Sequence, residues 1–296
     1  MPCHRRSSPC KINLVLNILG RRADGFHELE TLLLPVPWCD ELTFDPRTSG
    51  VHLSCSHPDL PVDESNLVHR AARRFLDLAG IPDGIAIHLD KQIPLAAGLG
   101  GGSGNAAHTL LGLNEVFGHP LSPSQLDSLA ASLGSDVNFF LQPFPAVAVG
   151  RGEQIAPIQR FLVLENCFLF LFHPGFGIST AWAYQQLARH PAALHGKPGR
   201  AAAVVDALRF GDLAAAGAAL YNSLEAPALE KYPILQLYQN HLRENDAVGS
   251  LMSGSGSTTF ALFANESGAR NAAASFRSRF GDAGWAHVVP LRSNSG

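Results

Sequence analysis

Five glycines in seven residues constrain this chain more than anything else in it, within Pro94-Leu95-Ala96-Ala97-Gly98-Leu99-Gly100-Gly101-Gly102-Ser103-Gly104. Backbone this free of Cβ atoms reaches left-handed angles that side chains rarely allow. The sequence then turns helical, with Ala106, Leu110, Leu113 and Phe117 recurring at spacings of four, three and four. A glycine stretch feeding a helix start leaves N–H groups pointing outward at the positive end of the helix dipole. That is a seat for phosphate. The Walker pattern is excluded, because no lysine follows the glycines. Gly102-x-Gly104-x-x-Ala107 satisfies the loose dinucleotide pattern, but Pro94 stands where a strand should run directly into the loop. On these residues alone the competing reading is a flexible turn before an ordinary helix. Pro94 at the entrance, Ser103 at the helix start and the helix itself favour phosphate.

The surrounding periodicities predict strands and helices intermixed. Lys11 to Leu19 alternates, with Ile12, Leu14, Leu16 and Ile18 on one face and Lys11, Asn13 and Asn17 on the other. Asp24-Gly25 signals a turn, and strands are expected at Leu29–Val36, Glu41–Phe44 and Val51–Cys55. A helix is predicted from Asn66 to Ala79, stopped by Gly80, and an alternating strand at Gly84–Gln92. Ser122-Pro123-Ser124-Gln125 reads as a capping box opening a helix that stops at Gly134. Ser135-Asp136 can cap a short helix through Phe140, and Ala146–Ile158 reads as strand, turn and strand. Phe161–Phe172 reads as one buried strand. Beyond it the pattern predicts helices near 180–189, 201–208, 213–220, 234–243 and 267–280. Strands at 247–252 and 258–263 flank a second loop, Ser253-Gly-Ser-Gly-Ser257, and a last strand is expected at 286–291. Strict βαβ alternation is absent, so the expected class is α+β. At 296 residues two domains are expected, 1–159 and 160–296.

Charge and cysteine usage narrow the function. A net charge of −3 with no long basic run argues against a nucleic-acid partner. Cys3, Cys10, Cys39, Cys55 and Cys167 are scattered with no metal-ligand spacing, which predicts reduced thiols in a cytoplasmic protein. Arg5 and Arg6 are followed by no signal-peptide core, and the most apolar segment, Phe161–Phe172, is too short to span a bilayer. No membrane partner is expected.

Two glycine loops, a strand-borne Lys11 and Asp136 at a helix start suggest a nucleotide-using phosphotransferase. Phosphoryl transfer needs backbone that binds phosphate, a cation, and a carboxylate facing the acceptor hydroxyl. Spacing alone does not bring Lys11 and Asp136 together. Taken singly, Lys11 is also a solvated strand end and Asp136 also a helix cap.

Pro9-Cys-Lys11-Ile-Asn13-Leu, Asp24-Gly-Phe-His27, the Pro94–Ser103 run, Gly134-Ser-Asp136-Val and Met252-Ser-Gly-Ser-Gly-Ser257 follow one another in the order seen in the GHMP kinases. The chain resembles that family from Pro9 to about Leu291. The resemblance implies a two-domain α+β architecture whose N-terminal domain is ribosomal-protein-S5-like. Asp24-Gly-aromatic-His and Gly-x-Asp-Val point to the branch acting on a cytidine-diphosphate-linked methylerythritol. The implied reaction is ATP-dependent phosphorylation of its 2-hydroxyl, giving the 2-phosphate and ADP, in isoprenoid precursor synthesis by the non-mevalonate pathway. Asp136 is then the base and Lys11 the cation that steadies charge. Pro94, Leu95, Ala96, Ala97, Gly98, Leu99, Gly100, Gly101, Gly102, Ser103 and Gly104 wrap the ATP phosphates, with Ser103 toward Mg2+. Asn13, Phe26, His27 and Tyr184 line the acceptor pocket. The resemblance also implies a cytoplasmic monomer or weak homodimer. The family's usual pattern differs here at Phe26 (tyrosine), Gly104 (serine), Asn138 (proline) and Cys10 (alanine). The rival readings are a GHMP kinase for mevalonate, homoserine or a sugar, and a non-catalytic nucleotide-binding paralogue.

Overall fold

Two long strands, β1 (His4–Arg21) and β2 (His27–Arg47), pair with each other and thread both of the compact units into which the chain folds. The structure, a computed structural model, describes residues 4–292. Cys3 lies outside the described residues. Cys39, Cys55 and Cys167 are free thiols. Among the described residues no helix is long and apolar enough to cross a membrane.

The first unit takes the chain through Cys10, Trp38–Ile93 and Gly100–Pro143. Here β4 (Gly84–Asp90) lies between the end of β2, antiparallel from Glu41↔Asp90 to Arg47↔Gly84, and β3 (Val51–Cys55), parallel from Val51↔Ile85 to Cys55↔Leu89. Helix α1 (Leu67–Ala79) begins where the Asn66 side chain accepts from Val68 N. It ends at Gly80 in the left-handed region, where glycine carries no Cβ penalty. Its apolar face buries Val68, Ala72 and Phe75. Helix α2 (Gly101–Val116) is buried over most of its circumference, so its apolar stripe understates its burial. Phe44 packs so close to Gly112 that a Cβ there would lie 2.5 Å from the ring. Fully burying a phenylalanine of this kind stabilises by about 1.5–3 kcal/mol. Ser122 and Gln125 form the expected capping box at the head of α3 (Pro123–Leu133). A 3-10 turn follows at Asn138–Leu141.

The second unit takes Lys11–Pro37, Pro94–Leu99 and the chain from Phe144 onward. Strand β5 (Ala146–Gly150) pairs antiparallel with β2 from Leu29↔Gly150 to Leu33↔Ala146, and β6 (Gln154–Pro157) pairs with β5. A second, antiparallel sheet has the order β11-β7-β10-β9, from β7 (Phe168–His173), β9 (Gly249–Met252), β10 (Thr259–Phe263) and β11 (Trp285–Pro290). Helices α4 (Thr180–Gln186), α5 (Pro191–Leu194), α6 (Arg200–Arg209) and α7 (Leu213–Ala219) precede the two-residue β8 (Tyr221–Asn222), which pairs parallel with β1. Helices α8 (Glu225–Lys231), α9 (Ile234–Glu244) and α10 (Glu266–Phe280) follow. The core gathers Phe170, Phe172, Leu235, Tyr238 and Phe276, with Phe172 and Phe276 centroids 4.6 Å apart.

The expected α+β class holds. Two local expectations do not. The Phe161–Phe172 run is a strand only from Phe168, because Leu162 turns outward (77% exposed) in a 3-10 turn and the polar pair Glu165-Asn166 is exposed. Leu29–Val36 and Glu41–Phe44 form one strand, because Pro35 and Pro37 do not interrupt β2.

Candidate active site

The glycine run is built differently on either side of Leu99, where the chain passes from one unit to the other. In the second unit the Pro94–Leu99 half is fixed to two neighbours. Gly98 takes φ +77, and a Cβ there would lie 2.0 Å from Ser253 O, so backbone touches backbone. Ser253 Oγ donates to Gly98 O at 3.0 Å, and Thr258 N donates to Ala97 O at 3.2 Å. The second glycine-serine loop therefore buttresses the first. Asn222 in turn holds that second loop, its Nδ2 donating to Met252 O and Gly254 O.

Lys11 sits against the same stretch. Its backbone N donates to Leu99 O at 2.9 Å, and its Nζ donates to Gly98 O at 3.0 Å and Asn13 Oδ1 at 2.6 Å. Asn13 Nδ2 donates to Thr31 Oγ1 at 2.8 Å, and Thr31 Oγ1 in turn donates a hydrogen bond to Val15 O. Lys11 and Asn13 are both buried, so Lys11 is not the solvated strand end of the competing reading. A buried ammonium keeps its charge only with such acceptors around it.

In the first unit the Gly100–Ser103 half opens α2. Gly100 is the N-cap at φ +70, ψ 14, it supplies no side-chain cap, and the first turn carries no acidic residue. The N–H groups of a helix's first turn have no intrahelical partner, so at Gly101, Gly102 and Ser103 they are available to an anion. Gly104 N is already committed to Gly100 O at 2.8 Å. Gly104 itself is buried against β1, where a Cβ would lie 2.9 Å from Pro9 O. Asp136, also in this unit, is half-buried and lies one residue before Val137, the cap position of the 3-10 turn. Asn138 donates to Asp127 O at 2.8 Å, which ties this turn to α3.

The residues read as the acceptor pocket lie in the second unit. The His27 and Tyr184 rings pack tilted against each other, centroids 5.0 Å apart at 38°. Burial, with the Arg21 charge, holds the His27 pKa below the ordinary histidine value, so the imidazole is neutral at pH 7. Phe26 is 55% exposed, with the Arg151 guanidinium 4.7 Å from its ring centroid. The turn carrying both is closed by Phe26 N to Asp24 Oδ1 (3.1 Å) and Arg22 N to Phe26 O (2.8 Å).

Sequence reasoning missed Arg151, Thr31 and a buried charge cluster under α2 made by Asp40, Lys91 and Asn105. No local signal announces the cluster, since Asp40 stands beside Glu41 and Lys91 between Asp90 and Gln92.

Residues 66–142 match the GHMP kinases N terminal domain and residues 202–282 the GHMP kinases C terminal domain. A 4-diphosphocytidyl-2-C-methyl-D-erythritol kinase of Syntrophus aciditrophicus (strain SB) is 41% identical over 90% of this chain and 91% of its own. One of Synechococcus sp. (strain JA-3-3Ab) is 42% identical over 86% and 83%. The crystal structure of a 4-(cytidine 5'-diphospho)-2C-methyl-D-erythritol kinase superposes with a TM-score of 0.79 at 35% identity, covering 97% of this chain and 98% of that one. A homoserine kinase from Cytophaga hutchinsonii superposes with a TM-score of 0.77 at 20% identity, a likeness of fold alone. The chain belongs to the GHMP kinases, in the family of the 4-diphosphocytidyl-2-C-methyl-D-erythritol kinases.

Proposed function

We propose that this protein transfers the γ-phosphoryl group of ATP to the 2-hydroxyl of 4-diphosphocytidyl-2-C-methyl-D-erythritol, giving the 2-phosphate and ADP in isoprenoid precursor synthesis. The observation that carries the choice of acceptor is the tilted His27–Tyr184 ring pair. A neutral imidazole backed by an aromatic ring offers hydrogen bonding to a base edge and a face for stacking. Mevalonate, homoserine and simple sugars have no base to use either.

Roles follow from the surroundings of each group. The first-turn N–H groups of Gly101, Gly102 and Ser103 suit the ATP phosphates, and the family resemblance assigns Pro94–Leu99 to the same nucleotide. Lys11, its charge held by Gly98 O and Asn13, steadies negative charge during transfer. Asp136 accepts the hydroxyl proton. Asn13 is already engaged by Lys11 and Thr31, and reaches the acceptor from that fixed position. Phe26 keeps a stacking face without a hydroxyl. The family resemblance assigns Ser103 to the phosphates or to a Mg2+ that enters with the nucleotide. Neutralisation of the phosphate oxygens is what that ion supplies.

The two family matches lie on either side of residue 160, which supports a division of labour near that point. The thiols of Cys39, Cys55 and Cys167 support a reducing, cytoplasmic setting. One assay tests the central proposal: ADP release with the cytidine-diphosphate-linked methylerythritol, mevalonate, homoserine and galactose, each at saturation. Turnover restricted to the first is expected. Faster turnover of any other acceptor overturns it.

A further inference from the structure

Beneath the first turn of α2, four donors converge on one fully buried carboxylate. Asp40 Oδ1 accepts from Gln92 N at 2.7 Å and Ile93 N at 2.9 Å. Asp40 Oδ2 accepts from Asn105 Nδ2 at 2.8 Å and from Lys91 Nζ, the ion-pair partner. Asp40 is 0% and Lys91 3% exposed at the side chain. Lys91 Nζ also reaches Asn105 Oδ1 at 3.3 Å, and Asn105 Nδ2 reaches Ser8 Oγ at 3.1 Å. A Cβ placed on Gly101 would lie 3.3 Å from Lys91 Nζ. The cluster thus grips the strand end that leads into Pro94 and, through Asn105, the opening of α2.

A buried ion pair is poor value as stabilisation, since desolvating both charges offsets most of their attraction. What it supplies is geometry, because the acceptor-only carboxylate must keep all its donors aligned. We propose that Asp40, Lys91 and Asn105 are positioning residues for phosphoryl transfer, holding the Gly101–Ser103 amides where the ATP phosphates dock. This rests on the reading of α2's first turn as the phosphate seat. It predicts that removing the cluster weakens nucleotide binding even where stability survives.

The test uses the full chain, a thermal melt, calorimetric affinity for a non-hydrolysable ATP analogue, and acceptor KM. Asp40→Leu and Lys91→Met each leave a lone buried charge and should lower both Tm and nucleotide affinity. The double variant Asp40→Leu/Lys91→Met should recover most of the Tm while nucleotide affinity stays about 10–100-fold down. Acceptor KM should change less than about threefold. Asn105→Ala keeps the ion pair and the fold, and should lower nucleotide affinity about tenfold with a small change in Tm. Wild-type nucleotide affinity in the folded double variant or in Asn105→Ala overturns the proposal, as does an acceptor KM that rises in step. Gly102→Asp separates the two readings. It adds a carboxylate at the exposed start of α2 without touching the cluster. If it weakens nucleotide while Asn105→Ala does not, only the positioning proposal fails. If it leaves affinity unchanged, the phosphate seat lies elsewhere and both fail.

Discussion

Tyr184 belongs to helix α4, and without its neighbour it reads as ordinary packing. Its ring lies 5.0 Å from that of His27, in a pair whose imidazole burial keeps neutral. Tyr184→Ala should cost ~1–3 kcal/mol of stacking on a cytosine. Acceptor KM should therefore rise about tenfold while ATP KM stays nearly constant, and steady-state kinetics with each substrate varied in turn checks this. If both constants moved together, the residue would be a packing residue only. At this scale the sequence was informative about identity and silent about state. The alternation in β1 correctly separates Ile12, Leu14, Leu16 and Ile18 from Lys11, Asn13 and Asn17, yet both faces are buried. The polar face tolerates burial because Lys11 meets Gly98 O, Asn13 meets Thr31, and Asn17 meets Glu30. Those partners lie 13 to 87 positions away, and no local pattern announces them.

Helix α2 carries the largest share of the candidate chemistry, and its two ends respond to charge in different ways. At its start, Gly102 is exposed and the nearest atom to an added Cβ is Leu67 Cδ1 at 3.7 Å, so a side chain fits. Gly102→Asp places a carboxylate in the first turn, where the dipole favours it by about 0.3–1 kcal/mol. A helix that merely follows a flexible turn should gain slightly in Tm and lose nothing else. A phosphate seat should gain in Tm and lose nucleotide affinity by at least about tenfold, the equivalent of ~1.4 kcal/mol of repulsion. Further along the helix, His108 Nδ1 accepts from Arg6 Nε at 3.0 Å, and Arg6 and His4 both pair with Glu115. Burial, then the Arg6 charge, pushes the His108 pKa down to about 3. Between about pH 3 and the ordinary histidine value the unfolded chain binds a proton that the folded one refuses. Stability from this group is complete at neutral pH and is lost as pH falls through that window, by up to about 1.4 kcal/mol per pH unit. His108→Gln keeps an acceptor for Arg6 and should flatten the slope of urea-unfolding free energy between pH 6 and pH 4, as checked in matched buffers. An unchanged slope would remove His108 as a source of acid sensitivity. Elements with their own start and stop signals, such as α1 with Asn66 and Gly80, were legible in the sequence to within a residue. Within the glycine run the left-handed positions are Ala96, Gly98 and Gly100, while Gly101 already belongs to the helix because the N-cap falls at Gly100.

At the scale of the whole molecule, the two groups proposed for chemistry come from different compact units, Lys11 from the second and Asp136 from the first. The order of five motifs identified the family from sequence, whereas the contact partition interleaves early and late chain and could not be read from periodicity. Asp136 lies just before Val137, the cap position of the 3-10 turn. If it is a structural residue, Asp136→Asn should be close to silent, since Val137 and not Asp136 holds the cap position and asparagine keeps the side chain's shape. If it is the base, the same change removes the proton acceptor. General-base loss costs ~10²–10⁴-fold in rate, and because positioning carries much of phosphoryl transfer the lower end of that range is expected. ATP and acceptor KM should change little, because the shape is kept. Lys11→Met should cost kcat as well, together with some stability, because Gly98 O and Asn13 lose their donor. The decisive measurement is kcat of both single variants and the double at saturating ATP and acceptor, with a melt of each. Groups serving one proton transfer act as a unit, so the double variant should lose far less than the product of the single losses. Independent roles would multiply. A folded Asp136→Asn protein that kept more than roughly a tenth of wild-type kcat would falsify the base assignment whatever the cycle gave, because a lost base costs at least about 10²-fold.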